Sequence, residues 1–311
     1  MGPLVTPRDR TPTLLYVAGR GRSGSTLLCL LLNTHPEIFA IGEMKSPPHH
    51  ECSCGRAVEA CPFMLEVSRR LGLAGIRLDP GNWRVEYRRE GHWLVDRALF
   101  QSLRSTLLEN VRDGVLGLVP THRRMVQDLD STIRHFVESA LDITGARVFV
   151  DATKSPIRIR HLQRIQGWEL KVIHLVRDPR GVTFSSRDLG EAGMRKVVHG
   201  WCRVNLGVER HLKALPPDCW MRLRYETLCA APGPTLAAIG QFLGVGPIDV
   251  PSNFRSVEHH IQSGNVARKQ SDARVSIELD ERWRTELPRT ILDHAARVAG
   301  PLARRYGYTD I

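Results

Sequence analysis

The chain has 311 residues, 42% hydrophobic and 25% charged, which excludes a disordered polypeptide and suits one large α/β domain spanning 1–311. A formal net charge of +11 favours anionic partners, yet Lys and Arg are spread out with no basic run of five or more, a pattern that suits an anionic cofactor or substrate at least as well as nucleic acid. The first apolar run, Leu14–Ala18, is too short for a signal-peptide core or a membrane span, so a cytoplasmic protein without a transmembrane segment is expected.

In chain order, continuous apolar runs alternate with amphipathic stretches. Leu14–Gly19 reads as a strand buried on both faces, and Ser25–Asn33 as the helix that follows it. A short strand-like "IFAIG" ends before Glu43. From Lys45 to about 92 the alternation breaks at Pro47-Pro48, His49-His50 and "DPGNW"; this segment reads as a loop-rich lid or substrate insertion over one end of the sheet. Helical patterns resume at Trp93–Arg112 and Met125–Thr144, followed by a strand at "RVFVDA" and a helix at Pro156–Gln166. A strand at "KVIHLVRD", a helix opened by Pro179, a helix at Met194–Ala214, a strand at "CWMRLRYE" and a helix at Thr235–Leu243 complete the series. The segment 245–276 is polar, basic and aperiodic, and reads as a second loop-rich stretch. Such alternation predicts βαβ units around a central parallel sheet flanked by helices, a three-layer α/β sandwich of the P-loop NTPase-like kind.

Two turns carry anion chemistry. "GRGRSGST", Gly19 to Thr26, follows a buried strand and opens a helix, so Ser23, Gly24, Ser25 and Thr26 present backbone N–H groups and a helix N-terminus to a phosphate. A phosphate loop of NTPases carries lysine before the final Ser or Thr, and Ser25 stands there instead. A P-loop kinase or NTPase is therefore the alternative function, weakened by the missing lysine, while Arg22 keeps the loop cationic. "RDPRGVTFSSR" repeats the arrangement after a second buried strand, with Asp178 as N-cap, Pro179 in the first helical turn and Ser185 two turns along. Taken alone it reads equally well as a surface salt-bridge cluster.

Together these motifs resemble the sulfotransferases that use 3′-phosphoadenosine-5′-phosphosulfate (PAPS), in the branch of bacterial small-molecule and tyrosylprotein sulfotransferases. The family's 5′-phosphosulfate loop resembles Arg22-Ser23-Gly24-Ser25-Thr26, and its 3′-phosphate motif resembles Arg177-Asp178-Pro179-Arg180 with Ser185. "THPEIFAIGEMK" is similar to a segment whose glutamate is the catalytic base, here Glu43; "DATKSP" places Lys154 at a lysine near the transferring group. A Tyr-Glu-x-Leu stretch puts Tyr225 near the cofactor, and "SGNVARKQ" resembles a late loop closing over the adenosine and 3′-phosphate, through Gly264, Asn265 and Arg268. The resemblance runs from about Leu14 to Trp283, with departures at Lys45–His92 and after Ser263.

The resemblance implies an EC 2.8.2-type transferase that moves a sulfuryl group in line from PAPS to a small-molecule, glycan or lipid hydroxyl, releasing 3′,5′-adenosine bisphosphate and needing no metal. Glu43 would take the hydroxyl proton, while Arg22 and Lys154 would stabilise charge on the sulfuryl and leaving phosphate. Arg177 and Ser185 would grip the 3′-phosphate, with Arg187 and Arg268 as weaker candidates. The oligomeric state stays open, a homodimer included.

Seven cysteines, an odd number without a repeated framework, exclude a disulfide scaffold. Cys52, Cys54 and Cys61, after His49-His50, admit free thiols in a lid loop, a local disulfide or a zinc knot. C-x-C with one further Cys is not the usual C-x₂-C pairing of a zinc site, so free thiols and no metal site are expected. His174, inside a strand, reads as a satisfied core histidine, and His35 as a helix-end residue.

Overall fold

In the computed structural model, which describes residues 11–44, 51–83, 85, 100–103, 105–249, 254, 260–262 and 277–311, five runs of apolar residues become strands. They are β1 (Thr13–Ala18), β2 (Ile38–Gly42), β3 (Val148–Asp151), β4 (Glu169–Val176) and β5 (Trp220–Arg224). All pair in parallel, in the order β2-β3-β1-β4-β5, so β1 lies in the middle.

Period-2 geometry explains why β1 is apolar at every position. Leu14, Tyr16 and Ala18 enter one buried cluster, and Leu15 and Val17 enter another on the opposite face. Each fully buried Leu or Val contributes about 1.5–3 kcal/mol relative to exposure, which is why a central strand has no polar alternation. Helices cover both faces. α1 (Ser25–Leu32) packs on the Leu15 face; α2 (Pro62–Leu73), α3 (Thr106–Gly117), α4 (Pro120–Thr144) and α5 (Arg158–Arg164) follow, with α2, α4 and α5 contributing to the Tyr16 face. Next come α6 (Pro179–Phe184), α7 (Gly190–Leu212), α8 (Tyr225–Ala230), α9 (Pro232–Leu243), α10 (Trp283–Glu286) and α11 (Arg289–Arg305). The expected α/β sandwich with a central parallel sheet is the observed architecture.

Three elements differ from the sequence-based expectation. The stretch read as a loop-rich insertion contains α2, whose Phe63, Met64, Val67 and Leu71 are buried in the sheet-face core; their helical spacing is flanked by prolines and glycines that mask it locally. The helix expected over Trp93–Arg112 lies partly outside the described residues, and its described part starts at Thr106, where the Ser105 hydroxyl caps Leu108 N–H at 3.3 Å. α11, which the sequence reading did not anticipate, packs Ala295, Ala299 and Ala303 with Trp201 and Val197 of α7. Among the described residues, no helix is long and apolar enough to cross a membrane.

His174 on β4 is the satisfied core histidine expected: fully buried, with Nε2 3.0 Å from Asn205 Oδ1 and Nδ1 3.4 Å from Arg222 Nε, which donates to it. Burial pushes it down from 6.5 to about 4, against the opposing pull of Asn205. The unfolded chain then takes up this proton where the folded chain does not. Stability is accordingly complete above about pH 6.5 and drains as the pH falls toward about 4, by up to about 3 kcal/mol from this residue. Urea unfolding across that range should show a shallower acid loss for His174→Gln than for the parent; parallel curves would refute the assignment.

Candidate functional site

Because every strand is parallel, their C-terminal ends share one edge of the sheet, and each described candidate residue follows one of those ends. Arg22 to Thr26 follow β1, Glu43 follows β2, Lys154 follows β3, Arg177 follows β4 and Tyr225 follows β5. Ligands of open α/β sheets bind at this edge.

The loop after β1 is built by two glycines. Gly19 has φ 149° and lies so close to β4 that a Cβ there would stand 2.2 Å from the Leu175 carbonyl oxygen. Gly24 has φ 91° and caps α1, and a Cβ on it would meet the Tyr225 ring at 2.3 Å. Between them Arg22 takes φ 72°, a left-handed conformation that costs a non-glycine residue about 1–3 kcal/mol and that clusters at ligand sites. Among the described residues, Ser23 Oγ is buried without a hydrogen-bond partner. An unpaired buried hydroxyl beside a helix N-terminus fits an anion acceptor, as does the loop's exposed Arg22 side chain.

Lys154 shares the left-handed backbone, with φ 68°. Its turn is held by Asp151, 1% exposed, whose carboxylate accepts Thr153 N–H at 2.9 Å, the Thr153 hydroxyl at 2.5 Å and Arg158 Nε–H at 2.5 Å. Thr153 Oγ1 accepts Met44 N–H at 2.9 Å, and Ala152 N–H donates to Gly42 O at 2.7 Å, which stitches this turn to the one bearing Glu43. As a result Lys154 Nζ stands 2.6 Å from Glu43 Oε1 and 3.1 Å from Ser25 Oγ. The lysine absent from the β1 loop is thus supplied from the end of β3, 129 residues later in the chain.

Arg177 is buried, its guanidinium 4.5 Å over the Tyr225 ring, donating from Nη1 to Ser185 Oγ at 3.2 Å and to Arg22 O at 3.3 Å. Nη2 donates to Asp280 O at 3.2 Å. These contacts come from side chains: Asp178 itself caps α6, accepting Arg180 N–H at 2.7 Å, so that one N–H of the helix end is already taken. Ser185 closes α6 about two turns after Pro179 opens it, as expected, and Arg180 is committed to Asp178 at 2.7 Å and to Asp310. Arg187 is exposed and stacks 4.6 Å over Phe184. Gly264, Asn265, Arg268, His49 and His50 lie outside the described residues.

A family model described as the sulfotransferase family matches residues 14–249. The chain belongs to the sulfotransferase family. It is 24% identical to mouse (Mus musculus) carbohydrate sulfotransferase 5 over 96% of this chain and 81% of that one. In fold it is similar to the sulfotransferase domain of the Synechococcus PCC 7002 olefin synthase, with a TM-score of 0.54 and 20% identity over 96% and 97% of the two chains. A sulfotransferase domain of the curacin biosynthetic pathway gives 0.52 and 20% over 95% and 99%.

Several residues that organise this candidate site escaped the sequence reading. Besides Asp151 and Arg158, Glu226 Oε1 accepts Asp178 N–H at 2.9 Å while its Oε2 accepts the Tyr308 hydroxyl at 2.7 Å, and Trp201 Nε1 donates to Arg177 O at 3.0 Å. Glu226 had a signal, since it follows Tyr225 in the motif singled out; the Trp201 contact has none in linear sequence.

Proposed function

We propose that this sulfotransferase uses PAPS as donor and a small-molecule, glycan or lipid hydroxyl as acceptor, with Glu43 as the base. The observation that carries the reading is the chain Glu43–Lys154–Ser25, which joins a carboxylate to the phosphate loop through one ammonium group. The bound donor supplies a sulfuryl group on a good leaving phosphate. Ser23 to Thr26 would hold that 5′ group with backbone and hydroxyl donors, and Arg22 and Lys154 would offset charge gathering on it. Glu43, 18% exposed, is reachable by an acceptor and sits within a proton's reach of the lysine. Arg177, Ser185 and Tyr225 would bind the 3′-phosphate and its nucleoside, with Gly264, Asn265 and Arg268 assigned to the same end by resemblance alone. A cytoplasmic location, a single domain and no nucleic-acid partner belong to the same reading. Phosphoryl transfer is less well supported: the carboxylate at the end of β3 that would help hold magnesium, Asp151, is closed off by Arg158 and Thr153.

Incubation with labelled PAPS and a panel of phenols, sugars and lipid alcohols should yield labelled acceptor and 3′,5′-adenosine bisphosphate; failure of that product to bind would overturn the reading. Arg177→Ala should weaken 3′,5′-adenosine bisphosphate by roughly 10–150-fold, the loss of about 1.5–3 kcal/mol for a charge-assisted contact, while 5′-AMP, lacking the 3′-phosphate, changes little. Equal losses for the two nucleotides in calorimetry would place Arg177 elsewhere than at the 3′-phosphate.

A further inference from the structure

Folding adds a fourth donor to the cysteine cluster of the insertion. Cys52, Cys54 and Cys61 converge with His260, which arrives about 200 residues later, and their donor atoms all lie within 4.8 Å of one another. Cys61 Sγ is 3.6 Å from Cys52 Sγ and 3.9 Å from Cys54 Sγ; His260 Nδ1 is 3.5 Å from Cys61 Sγ and 3.8 Å from Cys52 Sγ. Disulfide sulfurs stand about 2.05 Å apart. The edges of a tetrahedron with Zn–S of about 2.3 Å and Zn–N of about 2.0–2.1 Å are about 3.8 Å between sulfurs and about 3.6 Å between sulfur and nitrogen. The four spacings above match those edges to within about 0.2 Å, and the other two pairs, Cys52–Cys54 and Cys54–His260, lie within 4.8 Å.

The surroundings suit thiolates. Cys54 N–H points at Cys52 Sγ at 3.5 Å, and the Gln262 amide Nε2, on a fully buried side chain, donates to Cys52 Sγ at 3.3 Å and Cys61 Sγ at 3.6 Å. Phe63 stacks on the His260 ring with centroids 5.4 Å apart, which fixes its orientation. Gly55, at φ 82°, closes the turn in which Cys52 N–H donates to Arg56 O at 2.8 Å, and Cys61 then caps α2.

We propose that Cys52, Cys54, Cys61 and His260 form a closed structural zinc site that fastens the insertion to the segment 260–262. Four protein ligands leave no open position, as in structural rather than catalytic zinc centres. Binding releases three thiol protons to solvent and leaves the site with one net negative charge, which the N–H donors of Cys54 and Gln262 offset. The fastening reaches the site edge: Ile261 N–H donates to Ser53 Oγ at 2.8 Å, Ser53 N–H to Ile261 O at 3.1 Å, and Gln262 N–H to Ile41 O at 3.0 Å, two residues before Glu43. This departs from the sequence expectation of free thiols and no metal site, and it stands independently of the transfer chemistry.

The test is metal content of the full chain, purified under reducing conditions without chelator. Elemental analysis should find about one zinc per chain, and exchange with cobalt should give thiolate charge-transfer bands and visible bands of tetrahedral intensity. Cys54→Ser, at a half-exposed ligand, and His260→Ala should lose the metal, His260→Cys should keep it, and Gln262→Ala should weaken it by about 10–100-fold. Overturning results are a metal-free protein even after zinc reconstitution, a disulfide within the cluster by mass spectrometry, or unchanged stoichiometry in both ligand-removing variants.

Discussion

Glu43→Gln should lower turnover by about 10²–10⁴-fold while 3′,5′-adenosine bisphosphate still binds within a few-fold of the parent affinity. Gln preserves the size of the side chain and an oxygen that can accept from Lys154 Nζ, now 2.6 Å from Glu43 Oε1, so the lysine need not leave its place next to Ser25. What it removes is the capacity to take a proton from an acceptor hydroxyl. Mass-spectrometric turnover and calorimetry on the same preparation separate the two properties. A variant within tenfold of parent turnover would remove Glu43 from the role of base, and joint loss of turnover and binding would make it a structural residue of the loop. Lys154→Ala is a less clean probe, because it strips the loop's ammonium and unpairs the carboxylate together.

Asp151→Ala should cost about 3–5 kcal/mol of stability, a fifth or more of the roughly 5–15 kcal/mol a typical domain possesses. The carboxylate is 1% exposed and Arg158 3% exposed, so the substitution leaves a buried guanidinium whose Nε has lost its partner, with the Nη1 bond to Val85 O at 2.8 Å remaining. It also releases the Thr153 N–H and hydroxyl, and with them the turn that holds Lys154 at φ 68°. Urea unfolding measures the loss. Replacing both partners, Asp151→Ala with Arg158→Met, should recover much of it, because the cost lies in a buried guanidinium deprived of its carboxylate more than in the missing bond. A single variant that loses less than about 1 kcal/mol would mean that Arg158 finds water or another acceptor.

The positions of the site elements were legible in the chain because their signals are local. Uninterrupted apolar runs mark strands covered on both sides; Gly19 and Gly24 bracket a turn that only glycine can make; and Asp178-Pro179 announces a helix start. With parallel strands implied, the loops after them belong on one edge, and Glu43, Lys154 and Arg177 are placed there by connectivity alone. α2 was missed for the complementary reason, its four buried positions being outweighed by prolines and glycines on either side.

Which of those residues meet was decided by strand order. β3 lies between β2 and β1, and this adjacency, which no local period encodes, brings Lys154 to both Glu43 and Ser25 and fills the place of the loop's missing lysine. Side-chain competition likewise reached the second helix end, where Asp178 takes Arg180 N–H from within while Arg177 donates to Ser185 Oγ. The cysteines show the same division: their spacing alone favours free thiols over a disulfide or a metal, and only the return of the chain at His260 brings together a set of four donors. Sequence determines turns and buried faces through nearest-neighbour geometry, whereas ligand sets and proton partners arise from contacts between segments more than a hundred residues apart, which the packing of the sheet selects.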